Sequence, residues 1–211
     1  METIANAGNA RVVRDVIQTI HENASYLSKV DGETGDGDHG VNMNKGFLLA
    51  GERITDDMTL SEALKTLGST LFLDIGGSMG PIYGTFFDTI GDVLASEDQI
   101  DAATFGKALD EAAKSLMDLA GARIGDKTLV DTIMPAEKAF YDARDGGEDF
   151  KDCLVAMAAG AESGKEATKD MQAKVGRAAR LGERSIGHYD AGAVSCCIIL
   201  RSMATSICAE L

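Results

Sequence analysis

The stretch 30–44 gathers three aspartates, one glutamate and four glycines within fifteen residues, Val-Asp-Gly-Glu-Thr-Gly-Asp-Gly-Asp-His-Gly-Val-Asn-Met-Asn. Glycine permits sharp backbone bends, so these carboxylates can converge, although they repel one another unless a cation lies among them. Oxygen-only ligands favour a hard cation such as Mg²⁺ or Ca²⁺ over zinc. Gly40 opens a segment that reads as a helix, and helix N-termini attract anions. The stretch therefore predicts a phosphate group joined to the protein through a divalent metal.

Two other interpretations of this stretch fit it less well. A solvated acidic loop without a ligand needs neither so many glycines nor the abrupt return to an apolar run after Asn44. An EF-hand loop that starts at Asp36 would need an acid and then a glycine where Gly40 and Val41 stand. The pattern therefore fails as an EF-hand.

A second stretch, 176–192, concentrates basic residues in an otherwise acidic chain. It contains Arg177, Arg180 and Arg184, and His188 follows them. A guanidinium group matches the geometry of phosphate with two parallel hydrogen bonds, so this stretch predicts a phosphate clamp. For Arg180 and Arg184, ion pairing with the excess acids is an equally good explanation.

Two further connections, 74–81 and 121–128, are rich in glycine and each precedes a helix. They are places where backbone can approach a ligand, although tight turns between helices also use glycine. Asp126 reads first as a helix N-cap. The first connection is not a Walker loop, because no Gly-Lys-Ser/Thr follows and no strand precedes it, and a dinucleotide-binding fold fails for the same lack of strands.

The elements that must position these stretches are helical. Apolar residues recur with a 3.6-residue period in eight segments, and no convincing alternating strand is found. Asn9, Thr59 with Glu62, and Asp101 are expected to cap helices, and Pro81 is expected near a helix start. The eight expected segments are 10–27, 43–54, 60–71, 82–94, 105–119, 127–143, 150–163 and 193–210. Short connections favour antiparallel neighbours, so one all-α domain built as a bundle is expected.

Composition narrows the function classes. The chain has 211 residues, enough for one domain with a proper core. A net charge of −14 argues against nucleic acid or an anionic membrane as the main partner. The four cysteines form no Cys-x-x-Cys pair and no signal peptide precedes the chain, which predicts reduced thiols in the cytoplasm. No apolar run is expected to approach the length of a membrane span.

The four loop stretches together resemble the L subunit of dihydroxyacetone kinase, the nucleotide-binding part of that enzyme. The matching pieces are Gly-Asp-Gly-Asp-His-Gly at 35–40, Gly-Gly-Ser-Met-Gly-Pro at 76–81, Gly-Asp-Lys-Thr at 125–128, Leu-Gly-Glu-Arg-Ser-Ile-Gly-His at 181–188 and Asp-Ala-Gly at 190–192. Their order and spacing agree over nearly the whole chain. The resemblance implies an up-and-down barrel of about eight antiparallel helices, with ADP or ATP held at one end.

The resemblance also assigns roles to individual residues. It makes Asp31, Asp36 and Asp38 the ligands of magnesium, with two ions expected, and gives Arg177 and His39 catalytic roles at the phosphates. The nucleotide contacts that it implies are His39, Gly40, Val41, Asn42, Ser78, Met79, Gly121, Leu129, Arg177, Asp190, Ala191 and Gly192.

The implied activity is transfer of a phosphoryl group to a small hydroxy-ketone. In the family, this acceptor is bound by a separate K subunit, and stand-alone L subunits resemble the form in which bound ADP is rephosphorylated by a phosphohistidine on a multiphosphoryl protein. The sequence leaves open whether the chain forms a homodimer. The alternative is a nucleotide-sensing regulatory module that binds a transcription factor.

Overall fold

Eight long α-helices form most of the molecule in the computed structural model, which describes residues 2–211. Two 3-10 helices, Thr168–Asp170 and Ala178–Ser185, lie in the last long connection. The helices are α1 Arg11–Thr34, α2 His39–Gly51, α3 Leu60–Asp74, α4 Met79–Leu94, α5 Ala102–Ala120, α6 Val130–Asp145, α7 Phe150–Ala167 and α8 Ala191–Cys208.

The helices close into a ring. Each one packs against its predecessor and its successor, and α8 packs against α1. Because most connections are short, consecutive helices run antiparallel. The expected up-and-down barrel of eight antiparallel helices is therefore confirmed.

This alternation divides the connections between two ends of the barrel. The connections 35–38, 75–78, 121–129 and 168–190 lie at one end and contain all the glycine-rich stretches singled out above. The opposite end carries β1 Ile4–Ala5 and β2 Gln99–Ile100, an antiparallel pair in which Ile4 opposes Ile100. No strand was expected from the sequence, and these two are only two residues long. The candidate site is thus confined to the end without the sheet.

Apolar faces of the helices fill the barrel. Phe47, Phe86 and Phe87 make edge-to-face contacts near its middle, and Phe105 lies between Phe140 and Phe150. These six rings are all at most 2% exposed. Burial of large aromatic side chains is a main source of stability for such a core.

Helix α8 corrects one expectation from the sequence. Its eighteen residues have a mean hydropathy of 1.6, which is long and apolar enough to span a membrane, contrary to the prediction. However, 67% of this window is buried inside the protein, and α8 packs against α1, α6 and α7. Its hydropathy is explained by its place as a core helix.

Two of the predicted helix caps are present, whereas those of Asn9 and Asp126 are not. Thr59 and Glu62 form the reciprocal capping box of α3, and the Asp101 carboxylate accepts a hydrogen bond from the Thr104 amide at 2.8 Å. The expected Asn9 cap is wrong, because its side-chain amide donates to the Ala5 carbonyl at 2.6 Å. Ala10 takes the N-cap position of α1.

The start of α6 also differs from the prediction. The helix begins at Val130, because Lys127 adopts a left-handed conformation with φ of 62° that cannot continue a helix. Asp126 is not its N-cap, since its carboxylate accepts from the Arg123 amide at 2.8 Å. The Asp131 carboxylate instead accepts from the Thr128 amide at 2.8 Å.

Candidate functional site

The three aspartates of the first stretch come together at the loop end of the barrel. Asp31 lies in the last turns of α1, and Asp36 and Asp38 lie in the connection to α2. One carboxylate oxygen from each lies within 4.8 Å of the other two. Three exposed or half-buried carboxylates on one point are a donor set suited to a hard divalent cation.

Glycines make this convergence possible. Gly37 has φ of 78°, which a side chain rarely tolerates. A Cβ atom added to Gly35 would lie 2.5 Å from the Asp31 Oδ1 atom. Position 37 therefore needs glycine for the loop to fold back on the end of α1, and a side chain at Gly35 would displace the Asp31 carboxylate.

The N-terminus of α2 lies beside the aspartates. The His39 amide is 3.4 Å from the Asp31 Oδ2 atom, and the first amides of an α-helix have no partner within the helix. A Cβ atom at Gly40 would lie 2.0 Å from the Ala24 carbonyl, so α2 approaches α1 more closely than a side chain would allow. Val41 is exposed and Asn42 is half-buried on this turn. Amides at the first turn of a helix can donate to an anion.

Arg177 is the arginine of the second stretch that reaches the aspartates. Its guanidinium forms an ion pair with Asp36 and lies 4.0 Å from Asp38. Arg180 and Arg184 are exposed, and neither forms an ion pair within residues 2–211. The proposed pairing of these two arginines with acids is therefore not found.

A hydrogen-bonded network holds the His39 side chain. Its Nε2 atom is 2.9 Å from the Ser195 Oγ atom, which is 2.6 Å from the Tyr83 hydroxyl. Burial lowers the pKa of His39, although the charges of Asp31 and Asp38 oppose this shift. This shift favours the neutral imidazole, which α4 and α8 fix at the start of α2.

Tyr83 and Ser195 were missed in the sequence. Ser195 stands 156 residues from His39 and 112 residues from Tyr83, so no local spacing joins them. Both nevertheless lie close to matched motifs, Tyr83 after Pro81 and Ser195 after Gly192. A polar residue inside the apolar run of α8 was the one available signal.

The start of α8 forms the next part of the site. Asp190 is its N-cap, and its carboxylate accepts from the Ala193 amide at 2.8 Å. Burial raises the pKa of Asp190 to about 6. Ala191 and Gly192 follow in the first turn, and a Cβ atom at Gly192 would lie 3.7 Å from the Leu129 backbone nitrogen. The structure therefore brings Leu129 together with the start of α8.

The remaining predicted contacts lie at the same end of the barrel but apart from the aspartates. Ser78 and Met79 begin α4, and Gly121 ends α5 with φ of 58°. Within the described residues, no hydrogen bond or ion pair joins these three to Asp31, Asp36 or Asp38.

Comparison with known proteins identifies the family. Residues 33–205 match the DAK2 domain. The chain is 34% identical, over 92% of both chains, to the PEP-dependent dihydroxyacetone kinase 1, ADP-binding subunit DhaL, of Listeria innocua. The chain belongs to the DAK2 domain family. It is also 34% identical, over 90% of both chains, to the ADP-binding subunit DhaL of the PEP-dependent dihydroxyacetone kinase of Escherichia coli K12. The resemblance read from the motifs is confirmed.

Longer relatives of this DAK2 protein match it over only part of their length. It is 32% identical to the L-erythrulose kinase of Pectobacterium atrosepticum and covers 33% of that protein. The native crystal structure of the dihydroxyacetone kinase of C. freundii superposes with a TM-score of 0.70 at 24% identity, over 94% of this chain and 34% of the other. A second structure of that kinase, in complex with AMP-PNP and Mg²⁺, gives a TM-score of 0.68 at 22% identity, over 93% and 33%. These structures share the fold.

Proposed function

We propose that this chain is the nucleotide-carrying phosphotransferase subunit of a dihydroxyacetone-type kinase. The observation that carries the proposal is the convergence of the carboxylates of Asp31, Asp36 and Asp38 beside Arg177 and the first turn of α2. Family membership supports it, because two relatives at 34% identity are named as ADP-binding subunits of such kinases. Those names favour the enzyme over the regulatory alternative.

The three aspartates fit magnesium, since they offer only hard oxygen donors at one point. The related kinase of C. freundii forms a complex with AMP-PNP and Mg²⁺, which supports this choice. We infer two ions from the resemblance. When bound, magnesium would neutralise charge on the phosphates of ADP or ATP.

The residues around the aspartates then bind and orient the nucleotide. In this proposal the segment His39, Gly40, Val41 and Asn42 contacts the phosphates, and Arg177 places positive charge beside the phosphoryl group in transfer. The neutral His39 side chain, held by Ser195, provides a hydrogen-bonding group that does not add to the negative charge. This arrangement positions the reacting groups and stabilises charge, which is most of what phosphoryl transfer requires of a protein.

The remaining helix termini at the same end of the barrel enclose the rest of the nucleotide. In this proposal Gly121 and Leu129 lie beside the base, and Ser78 and Met79 contact the nucleotide from the start of α4. Asp190, Ala191 and Gly192 close over it from the start of α8. The close approach of Leu129 to Gly192 supports a continuous wall from the residues beside the base to the start of α8.

The acceptor and the phosphoryl donor come from partner proteins in this proposal. A small hydroxy-ketone would be bound by a K subunit, and a phosphohistidine-bearing multiphosphoryl protein would rephosphorylate ADP. The names of the relatives support this mode, since they are called PEP-dependent or PTS-dependent. Four free cysteines fit a cytoplasmic subunit.

Reconstitution tests the proposal. The purified chain, loaded with ADP, is mixed with its K subunit, dihydroxyacetone and phosphoenolpyruvate, with and without the phosphohistidine proteins. We expect dihydroxyacetone phosphate to form over many turnovers only when those proteins are present. Fast multiple turnover with ATP alone would overturn the role of ADP as a retained cofactor, and no transfer with either donor would overturn the enzymatic function.

A pair of arginine variants tests the assignment within the site. Arg177→Ala should lower the transfer rate about 100-fold or more, since it removes a charge at the phosphates. Arg180→Ala is the matched control, because Arg180 is an exposed arginine of the same segment without an ion pair among residues 2–211. Equal losses in both variants would contradict the role given to Arg177.

A further inference from the structure

Lys127 is an unusual lysine that is not among the candidate site residues. It is 1% exposed, and it is the one non-glycine residue with positive φ in the described part of the chain. A buried charge and a left-handed backbone are both costly, so neither persists unless the surrounding structure holds it. No carboxylate pairs with Lys127 among residues 2–211.

The Lys127 ammonium group instead donates to three backbone carbonyls. Its Nζ atom is 3.0 Å from the Met171 oxygen, 2.6 Å from the Ser185 oxygen and 2.7 Å from the His188 oxygen. An ammonium group has three N–H donors, and all three are used here. The carbonyls of Met171 and His188 flank the segment 172–187, and the Ser185 carbonyl lies inside it near its end. We call 172–187 the Arg177 segment because it carries that arginine. One cation therefore ties together the two ends of this segment.

Other contacts attach the Arg177 segment at the same place. The Ala173 amide donates to the Ser185 hydroxyl at 2.9 Å, and that hydroxyl donates to the Gly182 carbonyl at 2.7 Å. The Lys174 amide donates to the Asp126 carbonyl at 3.1 Å. The segment is thus folded on itself and on the connection that leads to Leu129.

We propose that Lys127 is a positioning residue for phosphate binding, which acts by holding the Arg177 segment in the shape that aims Arg177 at the aspartates. The proposal rests on the proposed function, in which Arg177 binds phosphate. Lys127 itself makes no contact with Arg177 or with the three aspartates. An apolar side chain at this position would remove the donor that these three carbonyls share.

The first test needs no nucleotide. Hydrogen exchange is measured on the free protein for Lys127→Met, with Lys174→Met as the control, since Lys174 is an exposed lysine of the Arg177 segment. We expect amides that are bonded in this segment, such as those of Ala173 and Ile186, to exchange about tenfold faster or more in Lys127→Met only. Unchanged exchange in the segment would overturn the proposal.

The second test measures coupling. Magnesium–ADP affinity is determined for Lys127→Met, Arg177→Ala and the double variant. We expect each single change to weaken binding about tenfold or more, and the double variant to bind like Arg177→Ala, because Lys127 acts through Arg177. Additive losses would overturn the proposal. Unchanged affinity in Arg177→Ala would contradict the proposed function. The hydrogen-exchange measurement would still test whether Lys127 holds the Arg177 segment.

A second variant covers failure to fold. If Lys127→Met loses its helical circular dichroism, Ser185→Ala replaces it in both tests. That change removes the hydroxyl acceptor of the Ala173 amide but keeps the carbonyl that Lys127 binds. The same pattern of local exchange and coupling with Arg177 is expected, and its absence would contradict the proposal.

Discussion

The acidic side chains of the site differ in their surroundings. Asp36 and Asp38 are exposed and lie against Arg177, so their oxygens are accessible to a cation that arrives from solvent. Asp190 is half-buried, and burial raises its pKa to about 6. Burial thus sets Asp190 apart from the two acids that face the solvent.

The raised pKa of Asp190 predicts how the stability of the folded protein depends on pH. Its pKa is about 6 in the folded protein and close to the ordinary 3.8 after unfolding, so between these values the folded state binds more protons. Acidification through this window should stabilise the native protein relative to Asp190→Asn, by up to about 1.4 kcal/mol for each pH unit crossed. Asparagine keeps the capping oxygen for the Ala193 amide but cannot titrate.

The measurement for Asp190 is urea denaturation of both proteins at pH 7 and at pH 4.5. We expect the difference in unfolding free energy between native protein and variant to move in favour of the native protein at the lower pH. The shared acid sensitivity of the two proteins cancels in that difference. The same difference at both pH values would contradict the raised pKa of Asp190.

Residues with local partners could be found from sequence, and residues with distant partners could not. Asp31, Asp36 and Asp38 are separated by at most seven residues with glycines between them, so their convergence follows from the loop. Lys127 binds carbonyls 44, 58 and 61 residues away. A contact with backbone oxygen places no demand on the partner's residue type, so it leaves no pattern to read.

At the level of the helices, glycines set how closely neighbours pack. On α7, a Cβ atom at Gly160 would lie 2.5 Å from the Pro135 carbonyl, and one at Gly164 would lie 2.2 Å from the Asp131 carbonyl. Both oxygens belong to α6, and main-chain atoms cannot turn aside as a side chain can. The two helices therefore contact each other through backbone along this face.

This contact gives a prediction for stability. Gly160→Ala should lower the unfolding free energy by about 1–3 kcal/mol, because the added methyl forces α6 and α7 apart. The control is Gly51→Ala, whose added Cβ would lie 3.6 Å from Ile17 in ordinary contact. Alanine is the better helix former, so the control should be neutral or slightly stabilising. Urea denaturation measures both, and equal stabilities of the two variants would contradict the close packing.

The sequence predicted the existence of all eight helices but not all their ends. Periodicity identifies an apolar face, yet α1 continues past Leu27 to Thr34, where polar residues dominate. This extension places Asp31 on a helix instead of in a loop. The start of α6 was set too early, because the left-handed backbone at Lys127 depends on contacts made by the folded chain.

As a whole, the molecule is a ring of helices with a small two-stranded sheet at one end and the glycine-rich loops at the other. The overall charge of −14 repels an anion such as ADP. Three features of the loop end can offset this repulsion locally. They are the aspartate cluster, which can hold a metal ion, the Arg177 guanidinium and the amides at the start of α2. Nucleotide binding by this barrel should therefore depend strongly on magnesium.

The most direct test of the account is ADP affinity of the native protein and of Asp36→Asn, each with magnesium and with a chelator. Asp57→Asn is the control, since Asp57 is an exposed aspartate in the connection between α2 and α3, away from the site. If charge repulsion alone decided the affinity, removing one negative charge would strengthen the binding of an anion, because the repulsion would be smaller. We predict the reverse for Asp36→Asn, a loss of about tenfold or more with the helical signal intact, and no change for Asp57→Asn. If Asp36→Asn, or the native protein with the chelator, binds ADP as tightly as the native protein with magnesium, the role of the aspartate cluster in holding the metal is contradicted.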